Sequence, residues 1–197
     1  MKKGAMFGLD ARIALAIFGA LSVISGAALY SAIENSKVVA LLNEINEVGK
    51  AYEQYILDTG IDLADIDVLN LKSSELASSA VDGWKGPYLP YASTGSLLRY
   101  SARPDTLVFF TKYKRSSVWT STTNGPETLT RECTDVKDCD LYVTFREQTP
   151  TNFIKKYAPK LSEYVDGDDS LITGKVRIYE NATFTYLYYK YMPAFTG

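Results

Sequence analysis

Residues 13–33 read IALAIFGALSVISGAALYSAI, twenty-one positions without an acidic or basic side chain. Arg12 stands before them and Glu34 after. As one helix the run is about 30 Å long, enough to cross a hydrocarbon layer. Its polar members are Ser22, Ser25, Ser31 and Tyr30. A helical hydroxyl returns its hydrogen bond to the preceding turn, so these residues tolerate lipid. Gly19 and Gly26 leave flat places where helix backbones approach closely. Lys2, Lys3 and Arg12 flank the front of the run. Positive flanks stay on the cytoplasmic side, so the large remainder of the chain is expected to cross. A secretory signal peptide has an apolar core of roughly seven to fifteen residues and then a small-residue cleavage site. Here the core is longer and its helical pattern continues past the polar boundary. Ser25-Gly26-Ala27 is the place where such a site could be read, and a plain single-pass anchor is the other reading.

Beyond Ile33 the pattern becomes amphipathic. Val38, Val39, Leu41, Leu42, Ile45, Val48, Tyr52 and Ile56 recur at helical spacing, and charged or amide residues fill most of the other face. Asp58-Thr59-Gly60 ends the pattern, with Gly60 suited to a helix cap. Counted from Asp10 this is a helix of nearly fifty residues, about 70 Å long at the usual rise. Such a rod suits an anchor or an assembly stalk.

The expected elements after it are shorter. Ile61–Ile66 reads as a turn and a short helix, and Ser73–Ala77 as a second one capped by Ser73 or Ser74. Asp82-Gly83-Trp84-Lys85-Gly86-Pro87-Tyr88-Leu89-Pro90 is a glycine- and proline-enforced turn with two large aromatics. Strands are expected over Ser96–Tyr100, Thr106–Lys112, more weakly Ser117–Thr120, Asp140–Phe145, Gly174–Tyr179 and Phe184–Tyr189. Ser121–Pro126 reads as a loop. Asn152–Ala158 reads as a helix that Pro159 interrupts or ends, with Leu161–Val165 as one further turn. A helix with one apolar stripe and a sheet with one apolar face cover each other. The fold class is therefore α+β, a long N-terminal helix packed on an antiparallel sheet. Roughly 140 of the 197 residues follow the helix, enough for one domain and hardly two.

Composition excludes several classes. The chain has no histidine, which removes the usual general base, the usual triads and most zinc sites. The serines and carboxylates form no recognisable catalytic constellation, so an enzyme is not expected. The formal charge is −2 with cations scattered among acids, and no specific nucleic-acid face is evident. The two cysteines, Cys133 and Cys139, are six positions apart. Outside the cytoplasm such a pair persists as a disulfide. Without histidine it is a poor metal site, and the spacing is not that of a redox Cys-x-x-Cys. Asp166, Asp168 and Asp169 flank Gly167 in a tight acidic turn. Carboxylates on such a loop suit calcium, Asp166 and Asp168 first. A solvated acidic turn is the competing reading.

The N-terminus resembles that of a type IV pilin or type II secretion pseudopilin. Members carry a short basic leader ending in a small residue, then an aromatic residue, and an acidic residue four positions beyond it. Aligning Gly19 with the glycine usual in the family's helix places cleavage after Ala5. Residues 1–5 become a leader, 6–58 the long helix with its apolar span about 13–33, and 59–197 the head. Met6 becomes the new N-terminus, a position where methylation is expected. Ala5 for Gly, Met6 for the aromatic (with Phe7 beside it) and Asp10 for Glu depart from the family pattern. The resemblance gives Asp10, Met6, Gly19 and Gly26 roles in assembly. In particular, Asp10 would meet the amino terminus of a neighbouring subunit and would lie in the first helical turn, where the dipole favours an anion. An N-terminal helix cap is the alternative for Asp10. The Gly83-Trp84 turn, a disulfide in the C-terminal region and calcium on acidic C-terminal loops also resemble pseudopilin features. The resemblance implies a filament subunit of a pilus or pseudopilus. Its partners would be a prepilin peptidase, copies of itself, other pilins, the membrane and an inner-membrane assembly platform. The implied location is the bacterial inner membrane, with the N-terminus cytoplasmic and the head periplasmic, and then the filament. A membrane-anchored binding or adhesin module, including a minor tip pilin, is the alternative.

Overall fold

The computed structural model describes residues 4–123, 125, 132–133, 135–148 and 153–196. Of the side chains from Gly4 to Asp10, those of Gly8 and Asp10 are described. Leader residues Met1 to Lys3, Asn124 and Pro126 of the expected loop, and Pro150 and Asn152 ahead of the second helix lie outside the described residues.

Helix α1 spans Gly4–Thr59. The chain divides into two compact units, Met1–Ala40 and Leu41–Gly197. In the second unit Leu41, Ile45, Val48, Tyr52 and Tyr55 are buried, at alternating spacings of four and three residues. That spacing keeps one stripe of a helix turned inward. Tyr55 continues the stripe and Ile56 is half-buried, a shift of one place from the sequence expectation. The helix stops where expected, with Gly60 at φ +73° and its N–H donating to the Ile56 carbonyl at 2.8 Å.

The strands are β1 (Asn70–Leu71), β2 (Ala92–Thr94), β3 (Leu97–Arg99), β4 (Thr106–Lys114), β5 (Cys139–Gln148), β6 (Val176–Glu180) and β7 (Phe184–Pro193). They form one sheet in the order β2-β3-β4-β5-β7-β6, with β1 also paired to β4. All pairings are antiparallel. Val108 and Phe110 of β4 lie opposite Phe145 and Val143 of β5 on one face, and the Phe110 ring centroid is 4.9 Å from that of Tyr52. That face carries the core against the 41–59 half of α1. Helix α2 (Phe153–Asp166) packs against β6 and β7. The α+β expectation stands at this level.

Four local readings are corrected. Ile61–Ile66 forms no helix, because its polar groups have long-range partners. Asp62 accepts from Tyr52 Oη at 2.7 Å, and the Ala64 N–H donates to the Glu75 carboxylate. Ser73 and Ser74 do not cap the following turn, a 3-10 helix over Ser73–Leu76. Ser73 Oγ instead donates to the Val108 carbonyl and accepts from the Leu98 N–H, tying β3 to β4. Residues 117–120 form only an isolated β-bridge at Trp119 in place of the weak strand. The chain turns at Lys114–Ser117 and buries Trp119 against Tyr113 and Tyr188. Pro159 neither ends nor interrupts α2, since Ile154, Tyr157 and Ala158 before it and Leu161 and Ser162 after it are all buried. Tertiary packing there outweighs the missing N–H.

The turn after the 3-10 helix docks on the end of α1. Gly83 has φ +82°, and a Cβ there would stand 2.5 Å from the Asp58 carbonyl oxygen. Trp84 Nε1 donates to the Glu75 carbonyl at 2.9 Å, which makes Trp84 structural. Asp58 accepts from Tyr88 Oη at 2.9 Å, from Gln54 and from Lys85. Desolvation pushes the Asp58 carboxyl up, but these hydrogen bonds, led by that of Tyr88, outweigh it and hold the group below the usual carboxylate range. A lowered folded pKa stabilises the fold above the unfolded pKa, and that contribution is lost as pH falls through the lowered value. Asp58→Asn is therefore expected to unfold with a shallower acid limb than wild type, read from urea midpoints across the carboxylate range. Parallel curves would remove Asp58 from the acid response.

Candidate functional site

An apolar helix normally hides its side chains, and residues 13–33 of α1 do the reverse. Leu15, Phe18, Val23 and Leu29 are 70, 72, 73 and 63% exposed. The most apolar stretch of α1 has none of its residues buried, and it is long and apolar enough to cross a membrane. Asp10 and Arg12 mark its front, and Glu34 pairs with Lys37 at 3.5 Å at its rear. Ser22 Oγ donates to the Phe18 carbonyl at 2.8 Å, so this hydroxyl is satisfied within the helix. A Cβ built at Gly19 or Gly26 meets nothing within 4 Å. Seven residues are close to two turns, so the two glycines share one face. The surface can exchange water for lipid or for other apolar helices.

Asp10 is an exposed residue within the helical backbone of α1, so it is not the N-cap of that helix. The Ala5–Met6 bond lies within the helical backbone of α1.

The disulfide between Cys133 and Cys139 is formed, with Cα atoms 5.9 Å apart. It ties the chain ahead of β5 to that strand's first residue. Thr134 within its loop lies outside the described residues.

In the acidic turn the two carboxylates expected for calcium, Asp166 and Asp168, are each engaged by backbone N–H groups. Both Asp166 oxygens accept from the Lys175 N–H at 3.0 Å, and Oδ2 also accepts from the Val176 N–H. This carboxylate sets the start of β6, two residues later than expected. Gly174 has φ +71°, and a Cβ there would stand 2.5 Å from Asp166 Oδ2, so the close approach needs glycine. Asp168 accepts from the Ser170 N–H at 2.9 Å, closing its own small turn. Among the described residues no three metal-ligating side chains converge here or elsewhere.

A second surface was missed in the sequence. On the sheet face away from α1, Tyr113, Tyr142, Tyr188 and Trp119 form a buried aromatic cluster with Tyr179 and Tyr186 partly buried against it. Burial pushes the Tyr142 hydroxyl up to about 12, and Tyr188 is raised well above its ordinary value for the same reason. The signal was the alternation of Tyr186 and Tyr188, which places both on one face, but the partner strands could not be read locally.

Set against protein-family models, curated proteins and solved structures, the chain finds no match.

Proposed function

We propose that the protein is a structural subunit of an extracytoplasmic filament of the type IV pilus or type II pseudopilus kind, built through α1. The observation that carries this reading is the fully exposed apolar half of α1, continuous with a half buried in a folded head. Its support from sequence is the basic leader, Ala5, Met6 and Asp10 in register with Gly19. In this reading a prepilin peptidase cuts between Ala5 and Met6, and the apolar half passes from the inner membrane into the fibre core. Close helix approach at Gly19 and Gly26 gives van der Waals contact. Asp10 contributes register rather than most of the affinity, since an ion pair in an apolar setting must first overcome desolvation.

The test compares wild type with Asp10→Ala at matched membrane levels, with filaments sheared off and counted by electron microscopy. Wild type is expected in thin filaments. Asp10→Ala is expected to remain processed and inserted but to be strongly depleted from them. A wild type that never enters a filament with its assembly machinery present overturns the reading. Normal assembly of Asp10→Ala removes only the register role.

A further inference from the structure

Across the outer sheet face, Leu107, Arg146, Tyr186 and Tyr179 lie in one cross-strand row, and Phe109, Thr144, Tyr188 and Arg177 in the next. Beside these rows is a cleft of about 360 Å³. One side is formed by Asn70 and Ser96, the other by Tyr179 and Tyr186, with Phe109 and Arg146 between. Tyr179 and Tyr186 are half-buried and stacked, with ring centroids 5.5 Å apart.

Arg146 makes this more than an aromatic surface. Its guanidinium lies 4.6 Å from the Phe184 ring centroid and 6.0 Å from that of Phe109. Among the described residues those rings are its partners, with no carboxylate at ion-pair distance. Arg99, by contrast, is already bonded to Thr94 and the Pro104 carbonyl. Asp67 at the cleft rim accepts from the Leu69 and Asn70 N–H groups, which engages that carboxylate in its own loop. A half-buried guanidinium with aromatic rings as neighbours keeps a planar fork of N–H donors for a carboxylate.

We propose that this cleft binds a sugar acid, a pyranose ring carrying a carboxylate, as found in uronic-acid polysaccharides. The carboxylate meets Arg146. The apolar C–H face of the ring packs on the tyrosines, and its hydroxyls exchange hydrogen bonds with Ser96 and the tyrosine hydroxyls, Asn70 being held by Asp67 and Thr111. A volume of this size suits a small ligand largely enclosed by apolar walls and a few polar groups. A neutral sugar leaves Arg146 without its counter-charge. A nucleic-acid strand asks for several cations along a backbone, and this cleft supplies one. The site stands whether or not the chain polymerises.

The test uses the full chain, unassembled, in a zwitterionic detergent without a sugar headgroup. Binding of glucuronate, galacturonate and mannuronate oligosaccharides is measured by calorimetry and saturation-transfer NMR, each beside its neutral hexose counterpart. At least one acid is expected to bind about tenfold or more tighter than its neutral counterpart, the scale of one charge-assisted contact. Arg146→Gln is expected to erase that preference while Arg99→Gln retains it. Saturation transfer from tyrosine ring protons to the wild-type ligand reads the same site should Arg146→Gln fail to fold. No binding by any of the three acids, equal binding of acid and neutral forms, or tighter binding of an oligoglutamate peptide overturns the proposal. A preference that survives in folded Arg146→Gln overturns it as well.

Discussion

Leu21→Arg combined with Ile24→Arg is expected to release the protein from membranes with its head still folded. Both side chains are largely exposed, 57 and 64%, in the middle of the apolar run, so neither is a core residue of the head. An arginine at the centre of a spanning helix costs about 2.5–3.5 kcal/mol on insertion scales. Two of them cost on the order of 5–7 kcal/mol by the same scale, which exceeds what one marginally longer span can absorb. The readout is the fraction retained in an alkaline-washed membrane pellet, together with the near-UV spectrum of the released protein. Asn43→Arg, on the exposed polar side of α1, is the control and should stay in the pellet. Full retention of the double variant would mean that another part of the chain holds the membrane.

Tyr52→Ala is expected to be the most damaging single truncation in the head. Tyr52 is fully buried, its ring lies on Phe110, and its hydroxyl donates to Asp62 at 2.7 Å. Burial, with the Asp62 charge beside it, raises the Tyr52 hydroxyl far above its ordinary range, so it remains a donor. Burial also raises the Asp62 carboxyl, while Tyr52 and then Lys112 work against that rise. Removing the ring costs about 3–5 kcal/mol, as for other large aromatics in cores. Tyr52→Phe keeps the packing and removes one hydrogen bond to Asp62, which retains the Leu63 N–H and Lys112, at about 1–3 kcal/mol. Denaturant unfolding of the full chain in detergent separates the two, since both tryptophans, Trp84 and Trp119, report on the head. A Tyr52→Ala midpoint matching that of Tyr164→Ala, at a 64% exposed position, would show that α1 does not hold the sheet through this residue.

What the sequence disclosed, and what it did not, follows from the range of each interaction. The apolar run, the end of α1 at Thr59 and the β-prone cores of β4 and β5 were legible because each depends on neighbours within a few positions. The disulfide was legible because the chain has two cysteines, six positions apart. Ser73 misled because its hydroxyl serves Val108, thirty-five residues away, rather than its own turn. Pro159 misled because burial on both sides overrides a local breaker. Asp166 and Asp168 looked alike in the sequence, yet one organises β6 and the other closes a turn. The outer-face cleft was invisible because Arg146, Tyr186 and Tyr179 meet only through the registers of three strands. The candidate membrane surface was therefore readable in advance, whereas the cleft required the sheet.

The attachment of α1 to the head also has a mechanical side. Among the described residues, side-chain hydrogen bonds link the 41–59 half of the helix to several separate parts of the chain. Tyr52 reaches Asp62, Glu53 receives Tyr191, Tyr55 reaches Glu75, and Asp58 receives Tyr88. A tension applied along α1 is shared among these links in parallel, with the buried stripe sliding against the sheet in shear. Rupture then requires several bonds to fail together rather than one after another, so the head resists traction better than the strength of any single link suggests.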